Sequence, residues 1–91
     1  MIYTTPSHPD GPNSRPWYQR RGDLIFRAYG HPKGPSHAAI FKVIGGGRLI
    51  RIDGEKSAFE GGAWYVLRDG RYYPDVGHPQ GRLRVPWFED R

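Results

Sequence analysis

The chain has 91 residues, 36% of them hydrophobic, with a net charge of +5 and a pI of about 9.9. That size supports one domain with one small core and excludes a second. The absence of cysteine excludes disulfides, thiolate metal sites and thiol nucleophiles, and no run approaches the roughly 18 apolar residues of a membrane span.

Other bulk features narrow the class. Three Trp, six Tyr and four Phe argue against disorder, which is poor in aromatics. Gly and Pro are abundant but fall between apolar runs, as loop punctuation does. The N-terminus lacks the basic and apolar regions of a secretory leader. The expected setting is therefore the cytoplasm, of a host cell if the chain is phage-encoded, or a virion.

Residues 1–16 carry four prolines and many small polar residues, and predict an extended or disordered arm. Residues 17–91 then form the folded domain. Trp17 and Tyr18 cap one end of its core, and Arg20-Arg21-Gly22 is a basic turn. A first strand is predicted over Leu24–Tyr29, with Leu24, Phe26 and Ala28 as the core face and Ile25, Arg27 and Tyr29 opposite. Gly30–His37 is a loop. The second strand, Ala38–Ile44, is apolar on both faces apart from Lys42, as a central strand is.

Gly45-Gly46-Gly47 predicts a tight hairpin into a third strand, Arg48–Asp53. Gly54–Gly62 has the only helical character, one or two turns. Ala63–Arg68 is a fourth strand, and Asp69-Gly70 is a strong hairpin signal that sets Leu67 opposite Tyr72 and Arg68 opposite Arg71. Arg82–Phe88 closes the chain as an edge strand, since Pro86 interrupts it. The fold expected is all-β: a small, partly open barrel or curved antiparallel sheet of five to six strands, with at most one short helical turn. The His-Pro pairs at His8, His31 and His78 are unevenly spaced and predict no internal repeat.

Gly22-Asp23-Leu24-Ile25-Phe26, then Ser36-His37-Ala38-Ala39-Ile40-Phe41, then Gly46-Gly47-Arg48-Leu49-Ile50 resembles part of the papain-like cell-wall peptidase superfamily and its permuted lipid acyltransferase relatives. The resemblance spans residues 22–52. It implies a β-meander whose second strand opens on a histidine, the general base for a cysteine nucleophile, and places His37 in that role. Lacking the cysteine, the chain resembles at most a non-catalytic relative.

The residues themselves offer no competent catalytic set, with His37 the leading candidate for a role in one. A triad with Ser36 and Asp23 is disfavoured, because adjacent residues of a strand point apart. A metal-free ribonuclease would need His37 or His31 with Glu55 or Glu60 and Arg48 or Arg51. No histidine spacing matches a zinc site, the triple glycine lacks the helix and Lys-Ser of a phosphate loop, and Asp53-Gly54-Glu55 lacks the alternating ligands of a calcium loop. No metal and no cofactor are expected.

The stronger pattern is aromatic and basic. Eleven of the fourteen cationic residues are Arg, whose planar fork suits phosphates and carboxylates. Arg48, Arg51, Tyr65, Arg68, Arg71, Tyr72, Tyr73, Arg82 and Arg84 are the candidate binding residues, with the three tyrosines at least partly exposed and Trp64, Val66 and Trp87 in the core. The expected function is a non-catalytic protein-interaction module: an accessory or assembly subunit, or a small inhibitor or adaptor of the kind mobile elements encode. Its partner would be an acidic protein surface or larger assembly, engaged by the arm and by exposed strand edges, with no membrane partner. The alternative is a basic barrel that binds RNA or DNA. A small hydrolase or nuclease centred on His37 is the third reading.

Overall fold

A computed structural model describes residues 1–53 and 62–91. Eight antiparallel strands run in chain order and close into a barrel: β1 Ile2–Thr4, β2 Tyr18–Arg21, β3 Leu24–Arg27, β4 Phe41–Ile44, β5 Arg48–Arg51, β6 Tyr65–Arg68, β7 Arg71–Pro74 and β8 Phe88–Asp90. The sheet is thus all-β as expected, but it is closed and has eight strands rather than five or six.

Three tight turns make three of its hairpins. Gly22 (φ 61°) joins β2 to β3, Gly46 (φ 78°) lies in the 3-10 turn Gly45–Gly47 between β4 and β5, and Asp69 (φ 52°) with Gly70 (φ 77°) joins β6 to β7. Two consecutive positive φ values are what a primed two-residue turn requires. The predicted register there holds, with Leu67 opposite Tyr72 and Arg68 opposite Arg71.

The fourth hairpin is made of the two chain ends. β1 pairs with β8 over Ile2–Asp90, Tyr3–Glu89 and Thr4–Phe88, and the Arg91 N–H donates to the Met1 carbonyl at 3.0 Å. Residues 1–16 are therefore not a free arm. Ile2 and Thr4 are buried, because the alternation Ile-Tyr-Thr is enough to fill a strand slot that the proline content of the following loop obscures. The last strand is likewise no edge: β8 pairs on both sides, and Pro86 lies outside it.

Each hairpin meets the next through one inward-facing pair: Ile2 with Tyr18, Ile25 with Phe41, Leu49 with Tyr65, and Tyr72 with Phe88. These eight side chains surround a void of only about 10 Å³. The barrel is a packed core rather than a channel, as small barrels are. Within β3 the core residue is thus Ile25, and Leu24 is exposed, the reverse of the expected face, whereas just past the strand Ala28 is buried and Tyr29 exposed as expected. Alternation fixes which residues share a face, while pairing register fixes which face turns inward. Tyr65 and Tyr72 belong to the core, contrary to their expected exposure. Trp64 and Trp87 are only partly buried against it.

The fold is a fourfold repeat. Trp87, Trp17, Ile40 and Trp64 each precede the first strand of a hairpin, the last three steps around the barrel spanning 23, 24 and 23 residues. Their carbonyls accept from Thr5, Ala28, Ile52 and Asp75 at 2.8–3.0 Å, and their own N–H groups donate to Tyr72, Ile2, Ile25 and Leu49 at 2.7–3.0 Å. The uneven His-Pro pairs are part of this repeat: His8, His31 and His78 each stand nine residues before Trp17, Ile40 and Trp87. The spacing looked irregular because the third repeat lacks the His-Pro pair. The helical segment expected near Gly54–Gly62 falls almost wholly on residues outside those described.

Two outcomes test this architecture. Ile25→Ala is expected to cost about 2–5 kcal/mol, and Leu24→Ala less than about 1 kcal/mol, in denaturant unfolding. A permutant that joins Arg91 to Met1 through a short glycine linker and opens at Gly46 is expected to melt cooperatively within about 4–8 °C of the parent, the equivalent of roughly 1 kcal/mol. An unfolded permutant would argue against four interchangeable hairpins.

Candidate functional site

Two features stand out on this scaffold: three plugged loops at one end of the barrel, and a basic groove on its outer wall. The loops are built alike. The backbone N–H groups of His8, His31 and His78 donate to the carbonyls three residues earlier at 2.9–3.1 Å, and the glycine three residues later, Gly11, Gly34 or Gly81, donates back to the histidine carbonyl at 2.8 Å. Each imidazole Nδ1 then accepts from the N–H two residues on: Asp10 at 3.1 Å, Lys33 at 3.0 Å and Gln80 at 3.0 Å.

With Nδ1 accepting, the neutral ring carries its proton on Nε2. That nitrogen donates to the hydroxyl of Tyr18 from His31 at 3.4 Å and to that of Tyr65 from His78 at 3.2 Å. His8 meets Phe88 instead and lies edge-on to Trp17 and Trp87. His8 and His78 are therefore spacers between tryptophans, while His31 packs against Trp17 and Tyr18; His31 and His78 are held at both nitrogens, and His31 is not free to act as a general base.

Burial is the main reason all three imidazoles are held below their ordinary range. His31 falls to about 4, with Arg27 and Lys33 adding to the effect. His78 is lowered by burial and then by His8, and burial of His8 is partly opposed by Asp10. Burial likewise raises the Tyr18 hydroxyl to about 12 and pushes those of Tyr65 and Tyr72 up. Tyr72 donates to Asp90 at 2.9 Å.

The groove lies over β6, β7 and the loop that follows, and encloses about 350 Å³. Arg68, Tyr73, Arg82 and Arg84 line it, with Val66, Leu83 and Pro74 as its apolar part. The Arg68 guanidinium lies 4.6 Å from the centre of the Tyr73 ring. Arg82 Nε donates to the buried Asp75 carboxylate at 3.2 Å, which anchors the loop to the barrel. Arg48 pairs opposite Val66, and Arg71 opposite Arg68, so both extend the same outer face. Among the described residues, Arg48, Arg68, Arg71 and Arg84 make no ion pair.

Six of the nine predicted binding residues are thus brought together: Arg48, Arg68, Arg71, Tyr73, Arg82 and Arg84. The other three are not. Tyr65 and Tyr72 point into the core, and Arg51 stands at the plugged end, paired with Asp53 and 4.6 Å from the Trp64 ring centre. His37 is exposed in the β3–β4 loop, and no carboxylate of the described residues pairs with it. Glu55 and Glu60 lie outside the described residues. No group of three His, Asp or Glu able to hold a metal occurs among those described, and none of their helices is long and apolar enough to cross a membrane. The groove residue that sequence reasoning missed is Asp75. Its signal, a carboxylate seven residues before an arginine, is too common to be read without the fold.

Compared with known proteins, the chain matches no family model, and no curated protein or solved structure is significantly similar to it.

The lowered histidines set an acid limit. Below about pH 6.5 the unfolded chain takes up protons that the folded rings refuse, so stability falls with pH until the folded rings protonate, near 4 for His31. The melting temperature is expected to hold above pH 7 and to drop by several degrees or more between pH 6.5 and 4.5. The drop should be smaller in His31→Phe. A flat profile would show that the rings carry no such constraint.

Proposed function

We propose that the protein is a non-catalytic binding module whose basic outer face docks on the phosphate backbone of a nucleic acid. The observation that carries this is the gathering of Arg48, Arg68, Arg71, Arg82 and Arg84 on one face, with only Arg82 tied to a carboxylate there. Two arginines sit directly opposite each other, Arg68 and Arg71. Like charges in that position are unfavourable unless an anion lies nearby; Glu89 stands opposite Arg71 on its other side, and the remaining guanidinium forks suit phosphate oxygens.

The features that favoured a protein partner are weakened. Residues 2–4 belong to the barrel rather than to a wrapping arm, and a closed sheet offers no edge for a partner strand. Base reading has little to rest on. Tyr65 and Tyr72 are buried, and Arg68 covers the ring of Tyr73, so few aromatic faces are open for stacking. Binding is therefore independent of sequence and set by charge.

The test is binding of labelled single- and double-stranded oligonucleotides across a salt titration. Affinity should fall steeply with salt. The triple variant Arg68→Gln, Arg82→Gln, Arg84→Gln should lower the slope of log K against log salt by roughly 2–3, since each lost phosphate contact removes about 0.7–0.9. No binding at low salt, or binding indifferent to those changes, would refute the proposal and leave the face to an acidic protein.

A further inference from the structure

The outer wall repeats a device of its own. An arginine at the turn end of a hairpin reaches across to the aromatic ring two residues past its strand partner. Arg21 pairs with Leu24 and lies 5.5 Å from the centre of the Phe26 ring; Arg68 pairs with Arg71 and lies 4.6 Å from that of Tyr73. Across the joined chain ends, Arg91 bonds to Met1 and lies 4.8 Å from the Tyr3 ring centre. In the hairpin of β4 and β5 the two places hold Ile44 and Ile50. A guanidinium laid on a ring is held flat, so its fork loses little freedom when it closes on an oxyanion.

The couple at the chain ends shows such a fork closed. Arg91 donates from Nε and Nη2 to one oxygen of Glu89, at 3.1 and 2.9 Å. Glu89 stands two residues before Arg91. The same place holds Gln19 before Arg21 and Val66 before Arg68, so those two forks lack the internal acid. Among the described residues neither arginine makes an ion pair. Both stand beside tight turns, at the opposite end of the barrel from Asp53 and Ala63.

Arg21 is on β2 and Arg68 on β6, four strands apart in a ring of eight, so the two couples face opposite ways. Arg68 belongs to the groove over β6 and β7. The far wall carries Arg21 with Phe26 and the exposed Leu24, and Lys42 stands on the other side of Leu24. We propose, on the nucleic-acid reading of the groove, that one barrel bridges two segments of nucleic acid, one along the groove and one on the opposite wall, where the Arg21 fork takes a backbone phosphate. The molecule's shortest extent is 21 Å, more than two Debye lengths of about 8 Å at physiological salt, so the two backbones are screened from each other. Where both segments belong to one molecule, an effective concentration on the order of mM lets the smaller site engage.

The probe is a DNA with two short duplex arms joined by a flexible linker, a donor dye on one arm and an acceptor on the other. Energy transfer between the arms reads the bridge, and anisotropy of an isolated arm reads simple binding. Transfer is expected to rise as the full chain is added and to fall again in excess, when each arm holds its own copy. Arg21→Gln should weaken the bridged form by about tenfold, as loss of a hydrogen bond to a charged group does, with binding of an isolated arm nearly unchanged. Gln19→Glu, which gives Arg21 the acid that Arg91 has, should do the same. Binding of the isolated arm without any rise in transfer would overturn the bridge and leave the nucleic-acid reading standing. No binding of the arm at low salt would refute both. A rise that survives both substitutions would assign the bridge to pairing of two copies and overturn the proposal.

Discussion

Three residue pairs, Ile2 with Asp90, Tyr3 with Glu89 and Thr4 with Phe88, join the two ends of the chain. Without them β1 and β8 would each present an unpaired edge, and the inward ring would lose Ile2 and Phe88, two of its eight members. Burial of side chains of that size stabilises by about 1.5–3 kcal/mol each, against a net stability of about 5–15 kcal/mol for a domain of ordinary size. The closure is therefore a large part of what keeps so small a core folded. It also fixes the wall on which the outer arginines stand, since β7 is held between β6 and β8.

The repeat explains how few residue types are needed. One inward pair per hairpin junction, one aromatic or Ile before each hairpin, and one imidazole in three of the loops account for most of the buried side chains. Consistency among repeats gives the fold its definition. The chemistry gathers where the repeats differ. At one inward position the four hairpins carry Thr4, Arg27, Arg51 and Pro74, and only the middle two turn that end of the barrel cationic. On the outer wall, Arg48, Arg68 and Arg71 with Arg82 and Arg84 concentrate charge over β5 to β7. Departures from local regularity often accompany function in proteins generally, and the outer-wall arginines are the departure on which the proposed function rests.

Much of this was legible in the sequence. The glycine turns at Gly45–Gly47 and Asp69-Gly70 fixed two hairpins and one register, while the turn at Gly22 was legible without the strand Tyr18–Arg21 that precedes it; of the arginines clustered after Ala63, Arg68, Arg82 and Arg84 line the outer groove. What could not be read depended on long-range pairing. Alternation over Leu24–Tyr29 defines two faces but cannot say that Ile25 meets Phe41 inside the barrel. Tyr65 and Tyr72 look like exposed stacking residues until the register places both in the ring. The N-terminal strand is three residues long and is followed by prolines, so nothing local distinguishes it from an arm. The repeat itself was present as the nine-residue step from His8, His31 and His78 to Trp17, Ile40 and Trp87. It was hidden because only three of four loops carry it and because one hairpin is split between the chain ends.

Native-state hydrogen exchange of individual amides reports on closure of the barrel by β1. The Thr5 N–H donates to Trp87, a bond that exists only if the ends are joined, and the Trp17 N–H donates to Ile2, a bond that exists only if β1 docks on β2. These two amides are expected to exchange through global unfolding, Thr5 as slowly as its counterparts Ala28 and Asp75, and Trp17 as slowly as its counterpart Trp64. Exchange of Thr5 and Trp17 at nearly the free-chain rate, with Ala28 and Asp75 still protected, would contradict that closure and restore a free N-terminal arm.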